Sequence, residues 1–169
     1  TSAIGANTAR AKGVNLSRGD YLLFLHDDCH PVSPHYLQCL RQEIESHREC
    51  LGLGGPYIPS KKSSLWGRAY HYIQMRWIHQ NILPNGEARH LLGGNFCLHR
   101  SAFVDMNFDT QFQFGGTETE LQVRLRKAGA HFYYSEKLEV EHYSSIGIGK
   151  FIGKAFQQGI GRQAMKGSA

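Results

Sequence analysis

Five apolar residues in a row, Tyr21-Leu22-Leu23-Phe24-Leu25, stand between a Gly19-Asp20 turn and the polar cluster His26-Asp27-Asp28. A continuous apolar run of this length predicts a strand buried on both faces of a parallel sheet. Upstream, Ala3, Ile4, Ala9, Ala11 and Val14 among small polar residues predict a helix over 2–17 that ends near Gly19. Downstream, Leu37, Leu40 and Ile44 recur at helical spacing and predict a helix over 34–48. Ser33 is its expected N-cap, with Pro34 at the first helical position. Leu51 to Ile58 reads as a strand broken by glycines, and the aromatic segment 63–79 as a helix with a wide apolar face. Pro84-Asn85-Gly86 is a turn, and Gly93-Gly94-Asn95 leads into a strand from Phe96 to His99. A short helix over 101–106 and a loop over 107–116 come next. The helix Glu118 to Lys127 should close at Gly129 as a C′ glycine. Strands over 130–134 and 138–142 and a last helix over 148–165 complete the chain.

This alternation predicts an α/β layer fold. At 169 residues, one domain with a proper core is expected, and 41% hydrophobic with 20% charged residues excludes global disorder. Apolar runs stop well short of the ~20 residues that cross a bilayer. Thr1-Ser2-Ala3-Ile4 has no basic region followed by an apolar one. With no initiator Met and a helix at its start, the sequence reads as an excerpt of a longer protein. Cys29, Cys39, Cys50 and Cys97 form no C-x-x-C pair, which disfavours a zinc ribbon or thioredoxin motif. They read as small buried thiols of a reducing compartment, and the cytoplasm is the expected location.

Net charge is +5, and Lys150, Lys154, Arg162 and Lys166 all follow His142 in a stretch without acidic residues. The chain thus divides into a core, 1–142, and a basic helical tail or lid, 143–169. Such a tail can meet anionic lipid or a pyrophosphate. Nucleic acid is not an expected partner, because aromatic stacking residues are not interleaved with the basic ones.

The chemistry-bearing groups follow strands. Asp27 and Asp28 sit just past a strand's carboxyl end, where α/β proteins bind ligands. Adjacent carboxylates there call for a cation such as Mg²⁺ or Mn²⁺, which leaves coordination positions for substrate phosphates. Asp28 is the expected direct ligand, Asp27 a contact to a ribose hydroxyl, and His26 a second ligand or a base contact. An Asx turn or a helix cap is the structural alternative. Thr117 and Glu120 fit a capping box, which accounts for Glu120 and leaves Glu118 at a helix start, placed to take a proton. His142 ends an alternating strand, again at a ligand-binding edge. Gly93 and Gly94 permit close backbone approach to a ligand, or a strand-entry turn. No G-x-S-x-G, P-loop or G-x-G-x-x-G occurs.

In this order, Ala9-Arg10-Ala-Lys-Gly13, Leu-Phe-Leu-His-Asp-Asp-Cys-His-Pro31, Gly93-Gly94-Asn95 with Arg100 and Phe103, Phe108-Asp109, Gly-Gly-Thr-Glu-Thr-Glu-Leu with Arg124 and Gly129, and Val140-Glu-His142 resemble the family 2 glycosyltransferases of the GT-A fold. The resemblance implies a mixed, mainly parallel sheet flanked by helices. It also implies an incomplete copy, with the first nucleotide-binding strands lying before residue 1 and one sheet edge unprotected. Its D-x-D slots fall on His26 and Asp28, so histidine replaces the first acid. By the same resemblance Glu118 is the catalytic base, and Asp28, His142 and His26 hold Mn²⁺ or Mg²⁺. Arg10 would lie near the nucleotide or phosphates, and Gly93, Gly94 and Asn95 near the transferred sugar and the acceptor. Lys150, Lys154 or Arg162 would close over the diphosphate.

The implied reaction moves a sugar from a nucleotide-diphosphate sugar to a hydroxyl of a carbohydrate or lipid-linked acceptor, with inversion. A peripheral contact at the inner face of the membrane, through the aromatic segment and the basic tail, stands beside a core helix and a solvated lid. A non-catalytic binding domain of this fold and a metal-dependent phosphoesterase are the alternative functions.

Overall fold

The computed structural model describes residues 5–111 and 116–167. Its elements in chain order are α1 (Ala6–Leu16), β1 (Tyr21–Leu25), β2 (Cys29–Pro31), α2 (Tyr36–Ser46), β3 (Gly52–Gly54), β4 (Tyr57–Pro59) and α3 (Leu65–His79). Then follow β5 (Glu87–Ala88), β6 (Asn95–His99), a 3₁₀ turn (Arg100–Phe103), α4 (Thr117–Lys127), β7 (Phe132–Tyr134), β8 (Val140–His142) and α5 (Ile148–Gly167). The strands form a five-stranded sheet, β1-β6-β3-β7-β5, and a three-stranded one, β2-β8-β4.

The large sheet is mixed. β1, β3 and β7 run one way, yet parallel neighbours occur only at β3 and β7, because antiparallel β6 separates β1 from β3. "Mainly parallel" therefore holds for direction and not for adjacency. β1 also departs from two-sided burial: it is an edge strand, paired only with β6 among the described residues. Leu22 is buried, but Leu25 at its end is 38% exposed.

The core forms where strand faces meet helices. Phe96, Leu98, Leu53, Phe132, Leu121 and Val140 are almost wholly enclosed. Phe24 of β1 stacks on its register partner Phe96 with centroids 4.6 Å apart, and Phe108 meets its edge. Such pairs add about 0.5–1.5 kcal/mol beyond area burial. α3 begins at Ser64, whose Oγ accepts from the Gly67 amide at 3.1 Å and donates to the Ile146 carbonyl at 2.7 Å. One residue thus caps the helix and ties it to the segment leading into α5.

Several expectations are corrected. The glycine-broken strand at 51–58 is two strands in two sheets, since Gly55-Pro56 cannot continue a ladder. β2 and β5, of three and two residues, were not expected as strands, because runs that short carry no period. α2 starts at Tyr36 with His35 as its cap, while Ser33 Oγ receives the His35 amide in the preceding turn. Thr117 is not a capping residue: Gly116, in the left-handed region, precedes α4, and the Glu120 carboxylate is taken by Arg124. Residues 1–4, with the first three positions of the first expected helix, 112–115 of the expected loop and 168–169 lie outside the described residues.

Candidate active site

Two short connections bring the polar groups together. The chain leaves β1 at Leu25 and turns into β2, which exposes His26, Asp27 and Asp28 at the end of the large sheet. β2 pairs with β8 so that Cys29 lies directly opposite His142, and opposed residues share one face. His142 Nε2 is 3.4 Å from Asp28 Oδ2, and His26 Nδ1 is 4.0 Å from Asp28 Oδ1.

From the other side α1 supplies Arg10. Its guanidinium lies 2.9 Å from His26 Nε2, donates to Thr117 Oγ1 at 2.8 Å, and sits 3.7 Å from the Glu118 carboxylate. The Thr117 hydroxyl donates onward to Glu118 Oε2 at 3.2 Å. Glu118, Arg10, His26, Asp28 and His142 therefore form one continuous string, drawn from four parts of the sequence.

Protonation in the string follows from donor chemistry. A guanidinium only donates, so His26 Nε2 accepts and the neutral ring carries its proton on Nδ1. Burial, followed by the Arg10 charge, lowers the His26 pKa. Burial lowers that of His142 too, while Asp28 pulls it back up. Both rings are thus biased towards the neutral form that a cation requires. Burial pushes the Cys29 thiol up to about 12.

A divalent cation fits the residues present. Asp28 Oδ2 and His142 Nε2 are spaced as two ligands of one ion, and single donor atoms of His26, Asp28 and Cys29 lie within 4.8 Å of one another. The other ring nitrogen of His142, Nδ1, is buried and meets no hydrogen-bond partner among the described residues. One carboxylate with imidazole suits Mn²⁺ better than the harder Mg²⁺. His26 would bind through Nδ1 only by giving up Arg10, because that nitrogen carries the proton while Nε2 accepts.

Glycines and a tyrosine shape the wall. A Cβ on Gly93 would lie 2.3 Å from Glu118 Cδ, and one on Gly94 would lie 2.6 Å from the Tyr57 hydroxyl and 2.7 Å from the His26 ring. The Gly94 amide donates to the Tyr57 hydroxyl at 2.6 Å, and the Tyr57 ring lies 4.7 Å from that of His142. Beside Glu118 is a cavity of about 100 Å³, lined among others by His26, Tyr57, Gln74, Trp77 and Gly93. A larger, shallower groove of about 470 Å³ lies between Tyr21, His99, Leu125 and His131, and none of the string lines it.

The remaining expected residues are dispersed. Asp27 is exposed beside the string, and Lys150 is exposed on the first turn of α5. The Arg162 side chain lies outside what is described. Lys154 stands over the Tyr70 ring at 5.2 Å, near enough to His142 to lower its proton affinity. Asn95 is a correction. It is wholly buried, with Oδ1 receiving the Tyr36 hydroxyl at 2.5 Å and Nδ2 donating to the Leu138 carbonyl at 2.6 Å. Its amide braces the strand entry and does not face a ligand. Sequence reasoning missed Tyr57, Gln74 and the Thr117 link to Arg10; only the register and the helix start reveal them.

A mixed sheet covered by helices, with acids and histidines gathered past its strand ends, defines a GT-A-like domain. The family model of glycosyl transferase family 2 matches residues 3–106, so the chain belongs to that family. Two solved structures share the fold at a TM-score of 0.63: a mycobacterial protein, 16% identical, and mannosyl-3-phosphoglycerate synthase from Rubrobacter xylanophilus, 15% identical. The alignments cover 96% and 99% of this chain but 52% and 53% of those, so it spans about half their length. No curated protein matches. Glu118 and His142 lie beyond the family-matched segment.

Proposed function

We propose that this domain transfers a sugar from a nucleotide-diphosphate sugar to an acceptor hydroxyl, with inversion, in one displacement. The observation that carries this reading is the string itself. A candidate base, Glu118, borders a small cavity and is joined through Arg10 and His26 to the Asp28–His142 pair. Family membership supports it.

Glu118 accepts the proton of an acceptor hydroxyl held in the cavity, and the oxygen attacks the anomeric carbon on the face opposite the leaving diphosphate. Arg10 and the Thr117 hydroxyl hold the carboxylate against the cavity. Gly93 lets that carboxylate lie flat against the chain. Asp28 and His142, with His26 as a further ligand, would hold Mn²⁺ or Mg²⁺, which when bound neutralises charge on the diphosphate. Lys154 of α5 adds positive charge on that side. Asp27, exposed at the turn, is placed for a sugar hydroxyl of the nucleotide.

The test separates chemistry from binding. Glu118→Gln should cut turnover by about 10²–10⁴-fold while calorimetric binding of UDP or GDP with Mn²⁺ stays at the wild-type level. Wild-type turnover in that variant would remove the assignment. Asp28→Ala should abolish the Mn²⁺ dependence of nucleotide binding. A second reading, a non-catalytic binding domain, is favoured by one observation: His26 fills the first D-x-D slot and is engaged by Arg10. Heat with Mn²⁺ and nucleotide but no turnover with any donor would select it.

A further inference from the structure

The cavity beside Glu118 is lined by two unlike sets of groups. Ile73, Gln74 and Trp77 share one face of α3, three and four residues apart, and Ile73 and Trp77 join Leu92 in an apolar wall. The polar groups are the amides of Gln74 and Gln158, beside the Glu118 carboxylate. Gln158 comes from α5 and is anchored there, its Nε2 donating to the Tyr70 hydroxyl at 2.5 Å. Gln74 lacks such a partner: its Oε1 is buried and meets no hydrogen bond among the described residues. The terminal torsion of a glutamine is soft, so a small turn brings that oxygen to the cavity. A ligand hydroxyl would supply the donor that the protein withholds.

Size, shape and charge select the ligand. At about 100 Å³ the cavity is well below the ~300–1,000 Å³ of pockets for drug-sized molecules, and it takes a single ring. A plain lipid alcohol would leave both amides without partners, and a short open-chain polyol would leave the apolar wall uncovered. A pyranose satisfies both, with C–H groups on its face and hydroxyls on its rim. No Lys or Arg lines the cavity among the described residues. Arg10 is engaged by Thr117, His26 and Glu118. A carboxylate or phosphate brought in here would meet Glu118 with no cation of its own.

We propose that this cavity is the acceptor subsite, that it takes one uncharged pyranose ring, and that Gln74 and Gln158 set its specificity, an assignment that rests on the transfer reading of the same site. The C–H face of the ring lies against Ile73, Trp77 and Leu92. Two of its hydroxyls donate to the amide oxygens of Gln74 and Gln158, and a third faces Glu118.

The test is saturation-transfer NMR on the 169-residue chain with the methyl glycosides of glucose, mannose and galactose and of the matching uronic acids. At least one neutral ring should bind, about tenfold or more tighter than its uronic acid. Gln74→Leu should weaken that ring about tenfold, and Gln158→Leu likewise, with unchanged circular dichroism spectra. Gln74→Lys should reverse the preference so that the uronic acid binds tighter, a gain that misfolding cannot produce. A uronic acid that binds the wild type as well as the neutral ring would overturn the proposal. So would wild-type affinity in both leucine variants, or failure of all three neutral rings to bind. Calorimetry of UDP or GDP with Mn²⁺ separates the two readings. Nucleotide bound without any ring rejects the subsite alone, and a ring bound without nucleotide rejects the transfer reading alone.

Discussion

The two sheets share one chain and little else. β1 and β6 pair over five residues each, and their inward side chains, Phe24, Phe96 and Leu98, sit in the main core. The strands of the small sheet have three residues each and carry Cys29, Tyr57 and His142. A sheet of three such strands is too short to be stable by itself. It is held by its neighbours, and its register sets Cys29 opposite His142 and Tyr57 beside His142. The contrast teaches a division of labour: the large sheet supplies most of the apolar burial, and the small one, which also sends Tyr57 and Val140 into the core, brings His142 and the Tyr57 hydroxyl to the site.

The largest effect expected on that division is in the large sheet. Phe96→Ala should cost about 3–5 kcal/mol of unfolding free energy, read by urea denaturation. A loss under about 1 kcal/mol would break the claim that stability resides there.

Acid should strike the other side first. His71 is buried on α3, and burial, with the nearby His142 charge second, lowers its pKa from 6.5 to about 4. The unfolded chain therefore takes up the proton before the native state does. Stability should be intact above about pH 6.5 and fall by about 3 kcal/mol towards pH 4. His71→Leu should flatten that slope in denaturation curves at a series of pH values; an identical slope would clear His71 of the role.

Gly93→Ala tests the site without touching the core. The added methyl meets the Glu118 carboxylate, so turnover should drop about a hundredfold with a stability change under about 1 kcal/mol. Normal kinetics would mean that the carboxylate has another place to go.

The smallest effect should come from the joint between the regions. Tyr57→Phe removes the acceptor of the buried Gly94 amide, a loss of about 1–2 kcal/mol. A neutral outcome in thermal melts would show that the sheets are coupled elsewhere.

Periodicity made α1, α2, α3, α4 and α5 legible to within a few residues, and the apolar run 21–25 marked β1. It did not reveal that β1 lies at an edge, because a run of five apolar residues has the same form in a central strand. The acids and His142 were visible from their positions after strands. Arg10 was assigned to the donor by resemblance, but its bonds to His26 and Thr117 span 16 and 107 positions, beyond any local pattern. Asn95 shows the opposite error: a polar residue after two glycines looks like a ligand contact, and here it serves the interior.

Arg10 also governs how damage to this site will combine. One guanidinium serves both the carboxylate at one end and the imidazole at the other, so deleting either partner re-weights what it offers the survivor. Single changes at Glu118 and His26 will not sum to the double. The shortfall or excess in a double-mutant cycle, about 0.5–3 kcal/mol for members of one network, measures how far the two ends of the string act as one unit in the proposed transfer.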